Sequence, residues 1–433
     1  MTNWPQKFVY VCSAGQAAIV NAVPLVHAGL DRVAEVVVFC GASRSDPDTT
    51  QRNQAVEPTR QFIETLQHWC PGLQVTPIFG DPDNIAFWQG KTAAIAEKAT
   101  ADIPIVLNLT GGRKQMALGA LAGSLSAATA SRYLIFVGGT PLRTNFVDLE
   151  SMEQYPAPAN QELTLPQYLG LYGVRQVKAQ ATAAQQRAHE IHAEPIEEFA
   201  SIVMADAAAI QAIIQKAVEP CLPDHGRSFV PGPVNPWVHG TGAYRHRFQA
   251  AIALRILGGY FGFTSMLDSN GREVVHAGSI EGAKLLAGGW IEALLYNRLQ
   301  QRFNNREDIT ILPNVSVAFV DTGSHDSGED LGEFDIAVMI RSQLHIIETK
   351  VAHFQSHEKG AAAKALAQID KWKRMLLGQF GRFILVQPRQ TLGQLQHKRS
   401  SFLERATHSG ADLMMGPQAL DETIGLVERL VRR

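Results

Sequence analysis

The chain has 433 residues, of which 45% are apolar and 18% are charged, and its formal net charge is −2 at pH 7. These values are typical of a globular protein of two or three domains and exclude a chain that is basic throughout. The charge is uneven, because residues 341–433 carry 15 Lys and Arg against 8 Asp and Glu, whereas the rest carries 24 against 33. This imbalance favours a polyanionic partner for the C-terminal part, although an uneven surface without a partner fits it as well.

The four cysteines are scattered and show neither a CxxC pair nor the Cys/His spacing of a zinc site. The N-terminus lacks the pattern of a signal peptide, and no apolar run is long enough to span a membrane. We therefore expect a cytoplasmic protein that has no membrane partner.

Residues 1–150 alternate short apolar runs with helical stretches, which predicts a parallel, doubly wound sheet of the α/β class. The predicted strands are residues 8–12, 36–40, 73–79, 103–109 and 132–137. Ligands of such sheets bind at the carboxyl ends of the strands, near the point where the strand order reverses. The candidate binding loops are therefore Ser13-Ala14-Gly15-Gln16, Gly41-Ala42-Ser43 and Thr110-Gly111-Gly112-Arg113-Lys114-Gln115.

The third loop carries the clearest signal, because its glycines allow close approach of a ligand to the backbone. The helix that follows offers free N–H groups to an anion. Arg113 and Lys114 place positive charge at a helix start, where the helix dipole disfavours cations unless an anion is bound. An ordinary glycine-rich turn with a solvated Arg-Lys pair remains the alternative, since the loop matches neither a Walker A motif nor GxGxxG.

Residues 151–265 predict a mainly helical connector, with long helices over 176–218 and an irregular Pro/Gly-rich loop near 220–242. Residues 266–433 predict a second α/β domain. It opens with an apolar helix that contains Glu292, which lies either at an exposed helix start or at an active site. Two strand-like runs follow, and then a β-hairpin whose strands are residues 332–340 and 344–350.

The hairpin brings Asp335, at the start of one strand, close to Glu348 and Lys350 at the end of the other. Two carboxylates and a lysine at one point suggest a hard divalent cation with a cationic helper. A surface Asp beside a Glu–Lys ion pair is the alternative. A helix over 361–377, which contains Gln368, and a strand over 382–386 complete the domain.

Leu107-Asn108-Leu109-Thr110-Gly111-Gly112-Arg113-Lys114-Gln115 resembles the signature loop of CARF domains, the Rossmann-like sensors of CRISPR defence. Ser13-Ala14-Gly15-Gln16 resembles the other ligand loop of that family. The resemblance implies a homodimer whose paired domains bind a cyclic oligoadenylate, with tetra-adenylate favoured over hexa-adenylate. The ligand-binding residues implied in this way are Ser13, Gly15, Gln16, Ser43, Asn108, Thr110, Gly111, Gly112, Arg113, Lys114 and Gln115.

The C-terminal part resembles PD-(D/E)xK nucleases, in which an Asp is followed on the next strand by Glu-x-Lys, here Asp335 and Glu348-Thr349-Lys350. Gly288-Gly289-Trp290-Ile291-Glu292 resembles the GGWLE motif of CARF-fused nucleases of type III CRISPR defence, with Ile in place of Leu. The resemblance implies Mn²⁺ or Mg²⁺ held by Asp335, Glu348 and the Thr349 carbonyl. The implied catalytic residues are Asp335, Glu348, Lys350, Glu292 and Gln368.

These features predict a CARF-like domain over 1–150, a helical connector over 151–265 and a PD-(D/E)xK nuclease domain over 266–433. The expected activity is endonucleolytic cleavage of DNA, RNA or both, switched on by the cyclic oligoadenylate. Two alternatives remain open: a ligand-gated regulator that binds nucleic acid without cutting it, and additional cleavage of the activator by the N-terminal pocket. The sequence leaves the ring size, the preferred nucleic acid, the cleavage sequence and the metal undetermined.

Overall fold

The computed structural model describes residues 5–14, 18–42, 49–126, 132–138, 142–156, 161–176, 193–222, 228–240, 242–320, 330–350, 361–378, 380–388 and 401–432. Of the predicted site residues, Gly15, Gln16 and Ser43 lie outside these ranges.

The first sheet is built on β1, whose apolar residues are buried between helices on both faces. Its strands lie in the order β3-β2-β1-β4-β5-β6-β7, and the first five of these are parallel. The strands are β1 Phe8–Ser13, β2 Val33–Cys40, β3 Gln74–Phe79, β4 Ile105–Asn108, β5 Arg132–Gly138, β6 Arg143–Asp148 and β7 Gln154–Pro156. The accompanying helices are α1 Ile19–Ala28, α2 Thr49–Trp69, α3 Ile85–Ala96 and α4 Lys114–Ser126.

The parallel part of this sheet was predicted, whereas the antiparallel strands β6 and β7 were not. Their sequences, RTNFVD and QYP, are short and polar, so they lack the apolar run that identifies a buried strand. The strand order reverses between β1 and β4, which places the residues after Ser13 and after Asn108 side by side at one edge.

The second sheet is mixed and has the order β16-β15-β14-β13-β12-β8. Its central strands β12, β13 and β14 form an antiparallel meander, and β14, β15 and β16 are parallel. The strands are β8 Val174–Gln176, β12 Ile309–Phe319, β13 Asp330–Ile340, β14 Gln343–Thr349, β15 Phe383–Gln387 and β16 Ala411–Met415. Helices α10 Trp290–Phe303, α11 Ala361–Trp372, α12 Ser401–His408 and α13 Ala419–Arg432 surround it.

The region predicted to be a connector packs closely against this second sheet. Helix α5 Leu165–Gly170 precedes β8, which is the edge strand beside β12. The predicted long helices are α6 Ala193–Ala205 and α7 Ala207–Val218, and they are followed by α8 Tyr244–Ile256 and the short α9 Ile280–Lys284. A small antiparallel sheet, in the order β10-β11-β9, consists of β9 Gly232–Val234, β10 Phe263–Leu267 and β11 Glu273–Ala277.

Two hydrophobic cores cover the two faces of the second sheet. Leu344, Ile346 and Phe383 belong to a core that also contains Tyr168 of α5 and Phe8 of the first sheet. Residues that alternate with them in sequence, such as Ile347 and Ile384, pack instead against α6, α7 and α10. Every residue of β14 is buried, including the polar side chains of Gln343, His345, Glu348 and Thr349.

Within the described residues, no single helix has the length and apolar character to cross a membrane. One pair of helices, Glu194–Ala205 with Ala207–Cys221, passes that test together by length and composition only, and it is bent by 116°.

Candidate functional sites at the sheet switch point and the hairpin end

The first candidate site, at the switch point of the first sheet, is organised by the buried side chain of Asn108. Its Nδ2 donates to the Tyr10 hydroxyl and to the Val20 carbonyl, each over 2.7 Å, and to Asn21 Oδ1 over 3.2 Å. Its Oδ1 accepts from the Thr110 backbone N–H over 3.0 Å. Asn108 was predicted to contact the ligand; its side chain is turned inward, where it fixes the start of the loop.

The bond from Asn108 to Val20 has a local cause in helix α1. Pro24 lies inside this helix and has no N–H, so the Val20 carbonyl four residues earlier lacks its helical donor. The Asn108 amide supplies that donor. A buried carbonyl without a partner would be costly, and strand β4 and helix α1 are therefore joined at this point.

The two glycines of the loop pack directly on Ser13, at the end of β1. Gly112 has φ +79°, and a Cβ there would lie 2.3 Å from Ser13 Cβ. A Cβ at Gly111 would lie 3.0 Å from the Ser13 carbonyl oxygen and 3.2 Å from Asn21 Oδ1. The glycine loop therefore contacts the other predicted ligand loop at Ser13, and a side chain at Gly112 would clash there.

The remaining residues of the loop face outward at the start of α4. Arg113 and Lys114 are exposed, and Gln115 is half-buried. Arg113 Nη1 lies 3.4 Å from the exposed Asp83 carboxylate, a surface pair that contributes little stability. Thr110 Oγ1 accepts from the Val137 N–H over 3.0 Å, which ties the loop to β5. The result is a basic helix start beside a glycine-lined edge, which is suited to an anion.

The second candidate site is at the far end of the β13–β14 hairpin from its turn. The turn consists of Arg341 and Ser342, whose φ angles of 44° and 65° are those of a type I′ turn. Strand β14 begins at Gln343, which had been predicted to belong to the turn. Pairing of Ile340 with Gln343 and of Ile336 with Ile347 brings Asp335 level with Glu348, as predicted.

The Asp335 carboxylate is held by the end of the neighbouring strand. Its Oδ2 accepts from the Thr349 backbone N–H over 2.6 Å and from Thr349 Oγ1 over 3.0 Å. Burial raises the pKa of Asp335, whereas the charge of Lys350 and the Thr349 hydrogen bonds act in the opposite direction. These two hydrogen bonds fix the orientation of the Asp335 carboxylate, and neither of them involves its Oδ1.

Glu348 and Lys350 form an ion pair at the same point, between Nζ and Oε1. Glu348 is only 2% exposed, and its Oε2 accepts no hydrogen bond within the described part of the structure. Burial, followed by the charge of Asp335, raises the pKa of Glu348 to about 7. Burial acts to lower the pKa of Lys350, but the nearby carboxylates Asp335 and Glu348 outweigh it and raise that pKa.

Glu292, in the first turn of α10, belongs to the same cluster. Burial raises its pKa well above the usual value, and the charges of Asp335, Glu348 and Glu333 raise it further, against the effect of Lys350. Of the two placements left open for Glu292, the structure therefore favours the one that faces the site. Gln368, on α11, is close enough to Glu348 to favour its charged form.

A π-helical turn, Leu285–Gly289, directly precedes Trp290 and sets the start of α10. Two backbone carbonyls of this turn accept hydrogen bonds from glutamines of α7. Gln211 Nε2 donates to the Leu286 carbonyl over 2.9 Å, and Gln215 Nε2 donates to the Ala287 carbonyl over 3.0 Å. Gln211 Oε1 also accepts from Trp290 Nε1 over 2.9 Å. This support was not predictable from the sequence, because a Gln in an amphipathic helix resembles any solvated side chain.

Three carboxyl groups thus share one ammonium group, so the cluster carries an excess of negative charge once these carboxyl groups ionise. Among the described residues, no three His, Cys, Asp or Glu side chains already surround a point suited to a metal ion. The predicted ligand set differs from such a group, because it combines two carboxylates with a backbone carbonyl. The buried, unpartnered Glu348 Oε2 and the excess charge both fit a hard divalent cation.

No family profile and no curated protein sequence matches this chain. Its structure resembles that of protein VC1899 from Vibrio cholerae, with a TM-score of 0.66, 17% identity and coverage of 98% of each chain. It also resembles Can2 from Sulfobacillus thermosulfidooxidans, solved in complex with cyclic tetra-adenylate, with a TM-score of 0.63 and 17% identity. That alignment covers 99% of this chain and 98% of Can2.

The chain has the fold of these two proteins. The predicted fold class is confirmed: a CARF-like, doubly wound sheet is followed by a nuclease-like α/β sheet within one chain. At this level of identity the likeness establishes the fold, and the roles of individual residues rest on the geometry described above.

Proposed function

We propose that this protein is an endonuclease of type III CRISPR defence, dependent on a divalent metal and activated by a cyclic oligoadenylate. The observation that carries the proposal is the cluster of Asp335, Glu348 and Lys350 with Glu292, at the end of a buried hairpin. Burying several carboxyl groups around one ammonium destabilises a fold, and such an arrangement is typical of an active site. A regulator that only binds nucleic acid would gain nothing from it.

In this proposal Asp335, Glu348 and the Thr349 carbonyl would hold Mn²⁺ or Mg²⁺, which would lower the pKa of bound water and offset the phosphate charge. Lys350 orients the attacking water and stabilises the negative charge that develops on the phosphate. Glu348 holds the Lys350 ammonium in place. Thr349 fixes the Asp335 carboxylate, so that one oxygen remains directed to the site.

The sensor half of the proposal rests on the glycine-lined edge formed by Ser13, Gly111 and Gly112 with the basic start of α4. A cyclic oligoadenylate presents several phosphates, which suit backbone N–H groups and exposed cations. Can2 was solved with cyclic tetra-adenylate, which supports that ring as the ligand here. We propose that two copies of the chain pair through this edge, because a symmetric ring suits an isologous interface.

The test is a panel of plasmid, single-stranded DNA and RNA, incubated with and without cyclic tetra-adenylate and Mn²⁺. We expect cleavage only when both are present. Lys350→Ala should abolish cleavage and leave binding of the activator intact, whereas Lys364→Ala, at an exposed position of α11, should behave as wild type. Full cleavage by Lys350→Ala would contradict the site assignment.

Retention of nucleic acid without any cleavage would instead favour the binding regulator. Chromatography of the activator after incubation tests whether the N-terminal pocket degrades it. The geometry gives that additional activity little support, because the Ser13 side chain is buried against Gly112.

A further inference from the structure

A short series of polar contacts links helix α1 of the first sheet to the turn of the β13–β14 hairpin. In the last turn of α1, His27 Nε2 lies 3.3 Å from Glu162 Oε2, and His27 Nδ1 lies 3.2 Å from Thr144 Oγ1. The same Glu162 oxygen accepts a hydrogen bond from Ser342 Oγ over 2.5 Å. One carboxylate oxygen therefore contacts both the first sheet unit and the hairpin.

Helix α1 begins at the proposed ligand edge. Its Asn21 side chain donates to the Ser13 carbonyl over 2.8 Å and accepts from Asn108. All ten residues of α1 are buried, so the helix is enclosed along its length. His27 lies six positions after Asn21, which corresponds to about 9 Å along the helix axis. A shift of the ligand loops is thus expected to move the His27 end as well.

The hairpin turn is held as firmly as the helix. Ser342 is 1% exposed, and its Oγ also accepts from the Leu163 N–H over 2.8 Å. From this turn, β13 and β14 run to Asp335 and Glu348 at their far ends. Because buried strands are close-packed, a displacement at the turn is carried along them instead of being absorbed locally.

We propose that Glu162 is a positioning residue that transmits activator binding from α1 to the β13–β14 hairpin. It acts through Ser342 and contacts neither the activator nor the reacting phosphate. This inference rests on the proposed function and deepens it, because it names the contact through which the sensor edge controls the carboxylate cluster.

The test uses hydrogen exchange of the full-length protein with and without cyclic tetra-adenylate. In wild type we expect protection of residues 108–117 and an altered exchange rate in residues 336–347. In Glu162→Ala the loop should still be protected, while the change in the hairpin is lost. Ser342→Gly should give the same result, because glycine adopts the positive φ of the turn and lacks the hydroxymethyl group that contacts Glu162.

Cleavage supplies the second measurement. The ratio of activated to basal rates should fall at least about fivefold in Glu162→Ala and Ser342→Gly, with the dissociation constant of the activator within about twofold. Glu162→Gln retains one acceptor for Ser342 and should recover part of the ratio. Gln161→Ala, an exposed neighbour, is the matched control and should retain the full ratio.

The outcomes separate this inference from the proposed function. A hairpin response that persists in Glu162→Ala, or a hairpin that never responds although the loop is protected, would overturn the role of Glu162 alone. Absence of loop protection in wild type would overturn the proposed sensor, and the role of Glu162 with it.

Discussion

Asn108 Nδ2 donates to the Val20 carbonyl over 2.7 Å at the position where Pro24 deprives helix α1 of its own donor. A strand residue thus completes a helix, and the two elements share one buried hydrogen bond. This relationship explains why a polar side chain lies at the centre of the switch point. It can be tested by replacing Asn108 and Pro24 singly and together.

Asn108→Leu should lower the free energy of unfolding by about 2 kcal/mol, because the Val20 carbonyl and the Thr110 N–H lose their partner. In a Pro24→Ala background the helix regains an N–H for Val20. The cost of Asn108→Leu should then fall by about 1 kcal/mol, measured by urea denaturation of the four proteins of the cycle. Strictly additive effects would show that Pro24 and Asn108 are not coupled.

Gly112→Ala should weaken binding of cyclic tetra-adenylate about tenfold. Left-handed backbone costs a residue with a Cβ about 1–2 kcal/mol, and the new Cβ would lie against Ser13. Isothermal titration calorimetry measures the change. Gly90→Ala, in α3 with nothing within 4 Å of the added Cβ, is the matched control and should bind as wild type. If Gly112→Ala binds cyclic tetra-adenylate with the affinity of wild type, this loop does not form part of the ligand site.

Glu292→Gln should raise the free energy of unfolding in metal-free buffer at pH 8 by about 1 kcal/mol, while lowering the rate of cleavage. The reason is that burial and the neighbouring carboxylates raise the pKa of Glu292, so its charged form opposes folding. Chemical denaturation in EDTA gives the stability. Glu281→Gln, at an exposed position, should change neither quantity. A destabilised Glu292→Gln protein would indicate that the carboxylate serves the fold.

Because His345 is buried, we expect the free energy of unfolding to decrease as the pH is lowered. Burial, followed by the charges of Arg382 and Lys373, lowers the pKa of His345 to about 3, well below its usual value of 6.5. The folded state therefore excludes a proton that the unfolded chain binds below pH 6.5. The stability that this group confers is complete above that pH and is lost as the pH falls toward 3.

Replacing His345 by Gln should remove up to about 1.4 kcal/mol per pH unit from the slope of unfolding free energy between pH 4 and 6. Gln retains an acceptor for the Arg382 N–H, which His345 Nδ1 accepts over 3.3 Å. Denaturation curves at several pH values measure the slope. His408→Gln, at an exposed position, should leave it unchanged. Equal slopes for wild type and His345→Gln would show that the pKa of His345 is the same in the folded and unfolded states.

Much of the fold was predictable because its central elements carry local signals. Apolar runs mark β1, β2 and β4, and the two apolar runs on either side of a polar turn predict the hairpin that brings Asp335 close to Glu348. Elements whose position is decided by distant partners were not predictable in this way. Strand β8 is three residues long and exists because β12 offers it an edge.

The candidate sites show the same division. Residue types alone indicated the glycine loop and the carboxylate cluster. The inward orientation of Asn108 depends on Pro24, and the start of α10 depends on Gln211, which lies 79 residues before Trp290. Such dependence on contacts far apart in sequence has no periodic or compositional signal.

Strand β8 also limits how this chain can be divided. Residues 174–176 precede α6, yet they complete the sheet that carries the hairpin, beside Val317, Ala318 and Phe319. A fragment starting near residue 266 would leave the edge of β12 open, with the exposed Phe319 and Val320 beside it, and open edges recruit other strands. A different sensor could therefore replace the first domain only if the exchange point lay before β8, so that this edge strand stayed with the hairpin sheet.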